Sequence, residues 1–536
     1  MEAEREPLLR GAAPAVPAAC TWRKLSPRRV AVGLTLALAL LSVTVLAALH
    51  WRTPTEQQRL RSLEAEIDTL RRKWGVHGVS VAIVRRDKVL LARGFGEKNE
   101  KGDQVTADTI FGIGSTTKAF TSLLIGQLVE QGKVSWTTPV TSLHLSSFKD
   151  PIAASQANLI DILSHQTGLP RHDAMFGFWN TTKDCLARLN YLEPTESFRS
   201  TWQYNNWMYE LAGDIVRDVS GKASWADALK GGILDPLNMT STIGSFWDTP
   251  YTPDHARSFD EEGNLMPYEA DGGSLPPTSA GAMSSSANDA GQWLRALLGR
   301  GSLSGTQLVN ETTFQQLTQP HKTMDSPRTK EYGYTSYGLA WIISEYRGHH
   351  SVSHTGSTSG FKTALRFFPD DDLAYIIMTN TIARSLSTVL DEVISERLLF
   401  PEIPQSLKWS DVERETLRAA AETERLAVEK RRLSRLNGTS PSHPLDDYVG
   451  TYTHPAYGRF KITRPTPTSD ILHGRVINPG SVIAINLTHW HLDVFAITGD
   501  TADVVFETEA STGAIDALVI PLEPSVVAGE RFVKEA

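Results

Sequence analysis

Twenty consecutive residues without a charge, Val30 to Leu49, constrain this chain more than any other stretch. A run of that length crosses the hydrocarbon of a bilayer as one helix. Arg23, Lys24, Arg28 and Arg29 precede it, and Arg52 alone follows closely. Basic residues stay on the cytoplasmic side, so residues 1–29 read as a cytoplasmic tail, 30–49 as a transmembrane helix, and everything after Trp51 as lying beyond the membrane. The competing reading is a cleaved signal peptide, whose apolar core is usually shorter and nearer to Met1. The expected topology is a single-pass type II membrane protein whose bulk is extracellular or lumenal.

The asparagines of five Asn-x-Ser/Thr acceptors, Asn180, Asn238, Asn310, Asn437 and Asn486, all follow the apolar run, as glycosylation requires. Of the two cysteines, Cys20 is placed for palmitoylation, and Cys185 stands alone beyond the membrane as a small apolar side chain. The tail is rich in Pro, Ala and charge and reads as disordered. Within it Glu4-Arg5-Glu6-Pro7-Leu8-Leu9 has the form of an acidic dileucine sorting signal, which points to endosomes or lysosomes. A formal charge of -8 offers no basic surface to nucleic acid.

Leu60, Leu63, Ile67, Leu70 and Trp74 recur at helical spacing, which predicts a helix from Glu56 to Lys73. Val79 to Val84 and Val89 to Phe95 then read as two strands about an Arg-Arg-Asp-Lys turn. Beyond them, Ala119, Phe120, Leu123, Leu124 and Leu128 mark a second helix with one buried face. Ser115 stands at its mouth and Lys118 one turn further in, near enough for the amine to reach the hydroxyl. A desolvated lysine with a lowered pKa can take a serine's proton, and backbone N–H groups at a helix start favour an anion. By itself Ser-x-x-Lys is equally a capped helix with a solvated lysine.

Two further elements change that balance: Tyr204-Asn205-Asn206, and His354-Thr355-Gly356-Ser357. With Ser115-Thr116-Thr117-Lys118 they stand in the order and at the separations of the serine β-lactamase-like family, which the chain resembles over about residues 55–405. That family includes class C β-lactamases, D-alanyl-D-alanine carboxypeptidases and esterases. The resemblance implies an α+β fold, an antiparallel sheet flanked by helices. It implies that Tyr204 is the acid/base partner of Lys118, and that Asn206 binds Lys118 and the substrate. The backbone N–H groups of Ser115 and Ser357 would form an oxyanion hole, with His354, Thr355 and Gly356 lining the substrate strand. Penicillin-processing members usually carry lysine where this chain has His354, which weakens the case for β-lactams or peptidoglycan stems. An acidic lumen would charge that histidine and restore some affinity for a carboxylate.

Ile162-Leu163-Ser164-His165-Gln166-Thr167-Gly168-Leu169-Pro170 resembles the family signature that closes a helix and walls the site, and His165 reads there as structural. Ser286 to Asp289 reads as a capping box before a helix carrying Trp293, Leu294, Ala296 and Leu297. His489-Trp490-His491 has the spacing of one exposed strand face, so neither metal nor cofactor is expected. Trp409 to Leu436, inside a linker of residues 406–440, predicts a mostly solvated helix. From 443 to 536, six alternating segments (Tyr448 to Tyr452, Arg459 to Ile462, Val482 to Leu487, Leu492 to Ile497, Val504 to Glu507, Ala517 to Pro521) predict a small β-barrel resembling the lipocalin-like domain of some members.

The reading is a membrane-anchored serine hydrolase that opens a small-molecule or peptide ester or amide through an acyl-enzyme on Ser115. Two alternatives stay open: a catalytically silent binding or assembly module, and a true β-lactamase or carboxypeptidase. The oligomeric state is not legible.

Overall fold

The computed structural model describes residues 39–42, 55–266, 278–382, 385–400, 407–479, 481 and 483–536. Residues 39–42 are helical; otherwise the apolar run 30–49, Cys20 and the dileucine stretch lie outside the described residues. Among the described residues no helix is long and apolar enough to cross a membrane. Glu56 to Ala536 form one compact unit, separate from the residues up to Thr55.

The chain after Thr55 enters through helix α1 (Glu56–Lys73) and the hairpin β1 (Gly78–Arg85) and β2 (Lys88–Gly96). Helices α2 (Thr117–Glu130), α3 (Asn206–Ser220) and α4 (Ala287–Leu298) follow. Six strands come next: β3 (Lys322–Thr323), β4 (Ser336–Tyr337), β5 (Ile342–Tyr346), β6 (His349–Thr358), β7 (Phe361–Phe368) and β8 (Leu373–Thr379). Helix α5 (Leu386–Leu399) and the long helix α6 (Leu407–Ser434) lead to the C-terminal strands. The sheet order is β2-β1-β8-β7-β6-β5-β4-β3, so the first hairpin pairs with the last strand. The pairings within β1, β2 and β5–β8 are antiparallel.

Strand period sorts the side chains between two cores. Val79, Val81 and Ile83 of β1 and Leu373, Tyr375 and Ile377 of β8 face α1 and α5, where Leu63, Ile67, Leu70, Val389 and Val393 are buried. Ala82, Val84, Ala374, Ile376 and Met378 face the other way, into the core of α2, α3 and α4 with Phe120, Trp207 and Trp293. Burial on both faces makes β1 and β8 continuous apolar runs.

Ser286 caps α4 as expected, accepting from Asp289 N at 3.2 Å. The reciprocal half of a capping box is missing. Asp289 instead accepts from Ser241 N, Thr242 N and the Thr242 hydroxyl, pinning another loop to the helix start.

The last eight strands close a barrel: Gly450–His454, Gly458–Thr463, Ile471–Val476, Ala484–His491, Val494–Ile497, Asp503–Thr508, Ile515–Ile520 and Glu530–Lys534. Two of them, Ile471–Val476 and Glu530–Lys534, were absent from the sequence reading. Leu492, placed there at a strand start, occupies the turn between two strands with φ 47°. The barrel packs on the segment that follows Arg171. Trp179 Nε1 donates to Ala456 O at 2.9 Å, Asn478 Nδ2 to Phe178 O at 3.0 Å, and Ser481 Oγ to Gly177 O at 2.7 Å.

Candidate active site

Ser115 lies in a 3-10 turn, Gly114–Thr116, that runs directly into α2. This turn is pressed against β6. A Cβ on Gly114 (φ 51°) would stand 2.5 Å from Ser357 N, and one on Gly356 would stand 2.0 Å from Ile113 O. Only glycine allows that approach, which brings the backbone N–H of Ser357 beside the serine turn.

Lys118 is fully buried on the inner face of α2. Its Nζ lies 3.1 Å from Ser115 Oγ, 2.8 Å from Asn206 Oδ1 and 2.8 Å from the Ala280 carbonyl. Asn206 Nδ2 donates to Asp173 at 3.0 Å, which fixes the amide so that its oxygen faces the lysine. Both other partners can only accept. A neutral amine therefore spends its two hydrogens on them and turns its lone pair to the serine hydroxyl. Burial brings the Lys118 pKa down to about 7, against the opposing pull of Glu210 and Asp173.

Tyr204 is hydrogen-bonded to Ser115, and burial raises its pKa, so the phenol stays protonated. Lys118 Nζ stands over its ring, 4.8 Å from the centroid. The amine reaches Ser115 directly, and the protonated phenol is hydrogen-bonded to the same residue.

His354 lines the cavity but cannot act as a titrating carboxylate binder. Tyr337 Oη lies 2.9 Å from its Nε2, and Nδ1 donates to Thr355 O at 2.6 Å. Burial, with the nearby Lys118, holds its pKa at about 3, so an acidic lumen leaves it neutral. His165 is structural: it is buried among Tyr204, Tyr209 and Tyr337, and its Nδ1 accepts from Asn205 N at 3.2 Å. Asn205 caps α3 through Trp207 N and ties down the carbonyls of Leu169 and Pro170.

Ser115, Tyr204, Asn206, His354, Thr355, Gly356 and Ser357 line one cavity of about 730 Å³. Arg171 and Lys362 line it too, and the sequence reading missed both in this role. Arg171 pairs with Asp173 at 2.6 Å and stands over the Tyr204 ring, 5.0 Å from its centroid. Asn180, Asn238, Asn310, Asn437 and Asn486 are all exposed, and Cys185 is buried.

A serine at a helix start, a buried amine of lowered pKa, a protonated phenol and the backbone N–H of Ser357 beside the serine turn are parts suited to an acyl-transfer site. Residues 63–392 match the Beta-lactamase family, and this chain belongs to it. Residues 434–534 match a second family, described as a domain of unknown function, DUF3471. Among relatives, Unguisins hydrolase ungD' of Aspergillus campestris (strain IBT 28561) is 29% identical over 416 residues, 73% of this chain and 75% of the relative. Unguisins hydrolase ungD of Aspergillus violaceofuscus (strain CBS 115571) is 26% identical over 488 residues, 83% of each chain. In fold, the chain is similar to the octameric penicillin-binding protein homologue from Pyrococcus abyssi, with a TM-score of 0.55 and 21% identity, over 89% of this chain and 100% of that one. The family and these relatives make the chain a hydrolase of the serine β-lactamase fold.

Proposed function

We propose that the chain cleaves an ester or amide through a covalent acyl-enzyme on Ser115. The observation that carries this reading is the Lys118 amine, buried, with two acceptors fixed on it and its lone pair left for Ser115. Lys118 takes the serine proton as Oγ attacks the carbonyl carbon. The N–H groups of Ser115 and Ser357 receive the negative charge that develops on the carbonyl oxygen. Tyr204 delivers a proton to the departing alkoxide or amine and is reprotonated from Lys118. Water then attacks the acyl-enzyme by the same route, releasing the acid and restoring Ser115. Asn206 holds Lys118 and, with Thr355 and Gly356, borders the bound substrate. The relatives named as unguisins hydrolases support hydrolysis rather than a silent binding role.

We further propose that Val30 to Leu49 anchors the chain as a type II membrane protein, with this site on the extracellular or lumenal side and the five exposed asparagines available to glycosylation. A fluorophosphonate probe tests the chemistry: the full-length chain should be labelled and its Ser115→Ala form should not. Equal labelling of both, or of neither, overturns the reading.

A further inference from the structure

Helix α6 is held to the rest of the chain near its two ends and is bare between them. Near its start Trp74 Nε1 donates to Ser410 Oγ at 3.0 Å, and Arg414 stands over the Trp74 ring. Near its end Arg431 pairs with Asp503 and stands over the Trp490 ring. At about 100° per residue, Ser410, Arg414 and Arg431 fall on one side of the helix. Val412, Ala419, Leu426 and Leu433, each seven residues after the last, fall on the opposite side. All four are exposed, Leu426 at 53% and Leu433 at 69%. Every residue from Glu415 to Val428 is exposed as well, so none of the described residues covers this stripe. A seven-residue repeat keeps an apolar seam turned toward one partner helix.

The charges of α6 decide which partner fits. Asp411 to Glu424 carries five carboxylates against two arginines, and Arg425 to Ser434 four bases against one carboxylate. A second copy laid antiparallel sets each half against the half of opposite sign and opposes the two helix dipoles. Beside the stripe run two columns of the same spacing, Glu415, Glu422 and Glu429, then Arg418, Arg425 and Arg432. Glu422 pairs with Arg425 at 2.8 Å and Glu429 with Arg432 at 2.7 Å, and each carboxylate keeps acceptor sites for another guanidinium. One antiparallel register serves the apolar and the charged columns together. Val412 meets the second copy's Leu433, and Ala419 meets its Leu426, small against large. Across the same seam Glu415 stands beside Arg432, Glu422 beside Arg425, and Glu429 beside Arg418. We propose that α6 is a self-association surface that binds a second copy of this chain as an antiparallel helix pair, about a two-fold axis between Glu422 and Thr423. This is independent of the chemistry at Ser115.

The test uses the full-length chain in detergent, its mass read by light scattering after subtraction of the micelle, and a concentration-dependent dimer is expected. Leu426→Glu/Leu433→Glu puts charge into the seam at positions the fold leaves in solvent. The Tm should therefore hold while the dissociation constant rises at least about 100-fold. Charge is tested by mixing: Glu415→Arg/Glu422→Arg/Glu429→Arg and Arg418→Glu/Arg425→Glu/Arg432→Glu should each stay monomeric alone and pair when combined. Orientation is read in phosphatidylcholine vesicles from a Cys20→Ser chain, whose remaining Cys185 is buried. Val412→Cys/Leu433→Cys should oxidise to a disulfide-linked dimer and neither single variant should, because those positions lie about 30 Å apart within one helix. A monomer at every concentration, or a dimer that Leu426→Glu/Leu433→Glu leaves unchanged, overturns the proposal. So does cross-linking of either single variant, which would set the helices parallel. A monomer whose Leu433→Cys is shielded from maleimide only when vesicles are present also overturns it, and would make the stripe a membrane contact.

Discussion

The imidazole Nδ1 of His172 and the hydroxyl of Tyr457 lie 2.8 Å apart, joining the segment that carries Arg171 and Asp173 to the C-terminal barrel. His172 is wholly buried, its Nε2 contacts Glu193 O at 3.0 Å, and its backbone N–H donates to Glu523 at 2.7 Å. The barrel thus holds the middle residue of a triplet in which Arg171 lines the cavity and Asp173 accepts from Asn206. Tyr457→Phe should cost about 1 kcal/mol of stability, as one buried hydrogen bond does. It should also lower kcat/KM by slackening the Asp173–Asn206 contact. Thermal unfolding and steady-state kinetics on the same preparation check both; a lower Tm with unchanged kinetics would make the barrel a stabiliser only.

Lys118 must be neutral to accept the serine proton. With its pKa at about 7, the active fraction rises with pH through that value and then levels. kcat/KM should fall about tenfold per pH unit below the inflection. Lys118→Arg should lose about 10² to 10⁴ of kcat/KM at every pH, since a guanidinium does not deprotonate. Activity that stays flat from pH 5 to 9 would remove Lys118 from the role of base.

Buried neutral histidines set the acid limit of the fold. Burial depresses the pKa of His354 to about 3 and of His454 to about 4, from 6.5. Below 6.5 the unfolded chain protonates these rings while the folded chain does not. It then binds more protons, so stability is full above 6.5 and is lost as pH falls toward 4 and 3. The loss at pH 5 is up to about 2 kcal/mol per ring. Urea midpoints at pH 7.5 and 5 should differ in that sense, and His354→Gln should narrow the difference. The same variant should keep the wild-type shape of the kcat/KM profile between pH 5 and 6.5, where His354 does not titrate.

How much of this was legible follows from what is local in the chain. Ser115 and Lys118 are one helical turn apart, and their contact is a property of α2 alone. The β1 and β8 runs declare their strands through composition. Arg171 and Asp173 had no such signal: they follow a Gly-Leu-Pro turn, and what aims them at the cavity is remote, with Asn205 holding the carbonyls of Leu169 and Pro170 and the barrel holding His172. Lys362 carries no local signal of a place in the cavity, and only the β6/β7 register sets it against Ser357. In the barrel, Ile471–Val476 buries Leu472, Gly474 and Val476 and exposes His473 and Arg475, too little apolar area to stand out from a loop. His354 was legible as a replacement. Its neutrality comes from burial and from Lys118, which is remote in the sequence.

Glu210 tunes the base without touching Ser115. It is buried on α3, accepts from Thr278 Oγ1 at 2.5 Å and from Ala280 N at 2.9 Å, and so holds the loop whose Ala280 carbonyl receives Lys118. Of the charges that raise the Lys118 pKa, Glu210 acts most strongly. Glu210→Gln keeps an acceptor for the loop but removes the charge. The ammonium form of Lys118 then loses its nearest compensation, and the acid limb of kcat/KM should move to lower pH by about 1 unit, the scale of one close opposite charge. The sign separates two roles. If Glu210 only braces the loop, Glu210→Gln lowers kcat or stability and leaves the inflection in place; if it sets the lysine's protonation, the inflection moves down and activity at pH 6 rises relative to activity at pH 8. A shift to higher pH would contradict both the charge argument and the place of Lys118 as the base.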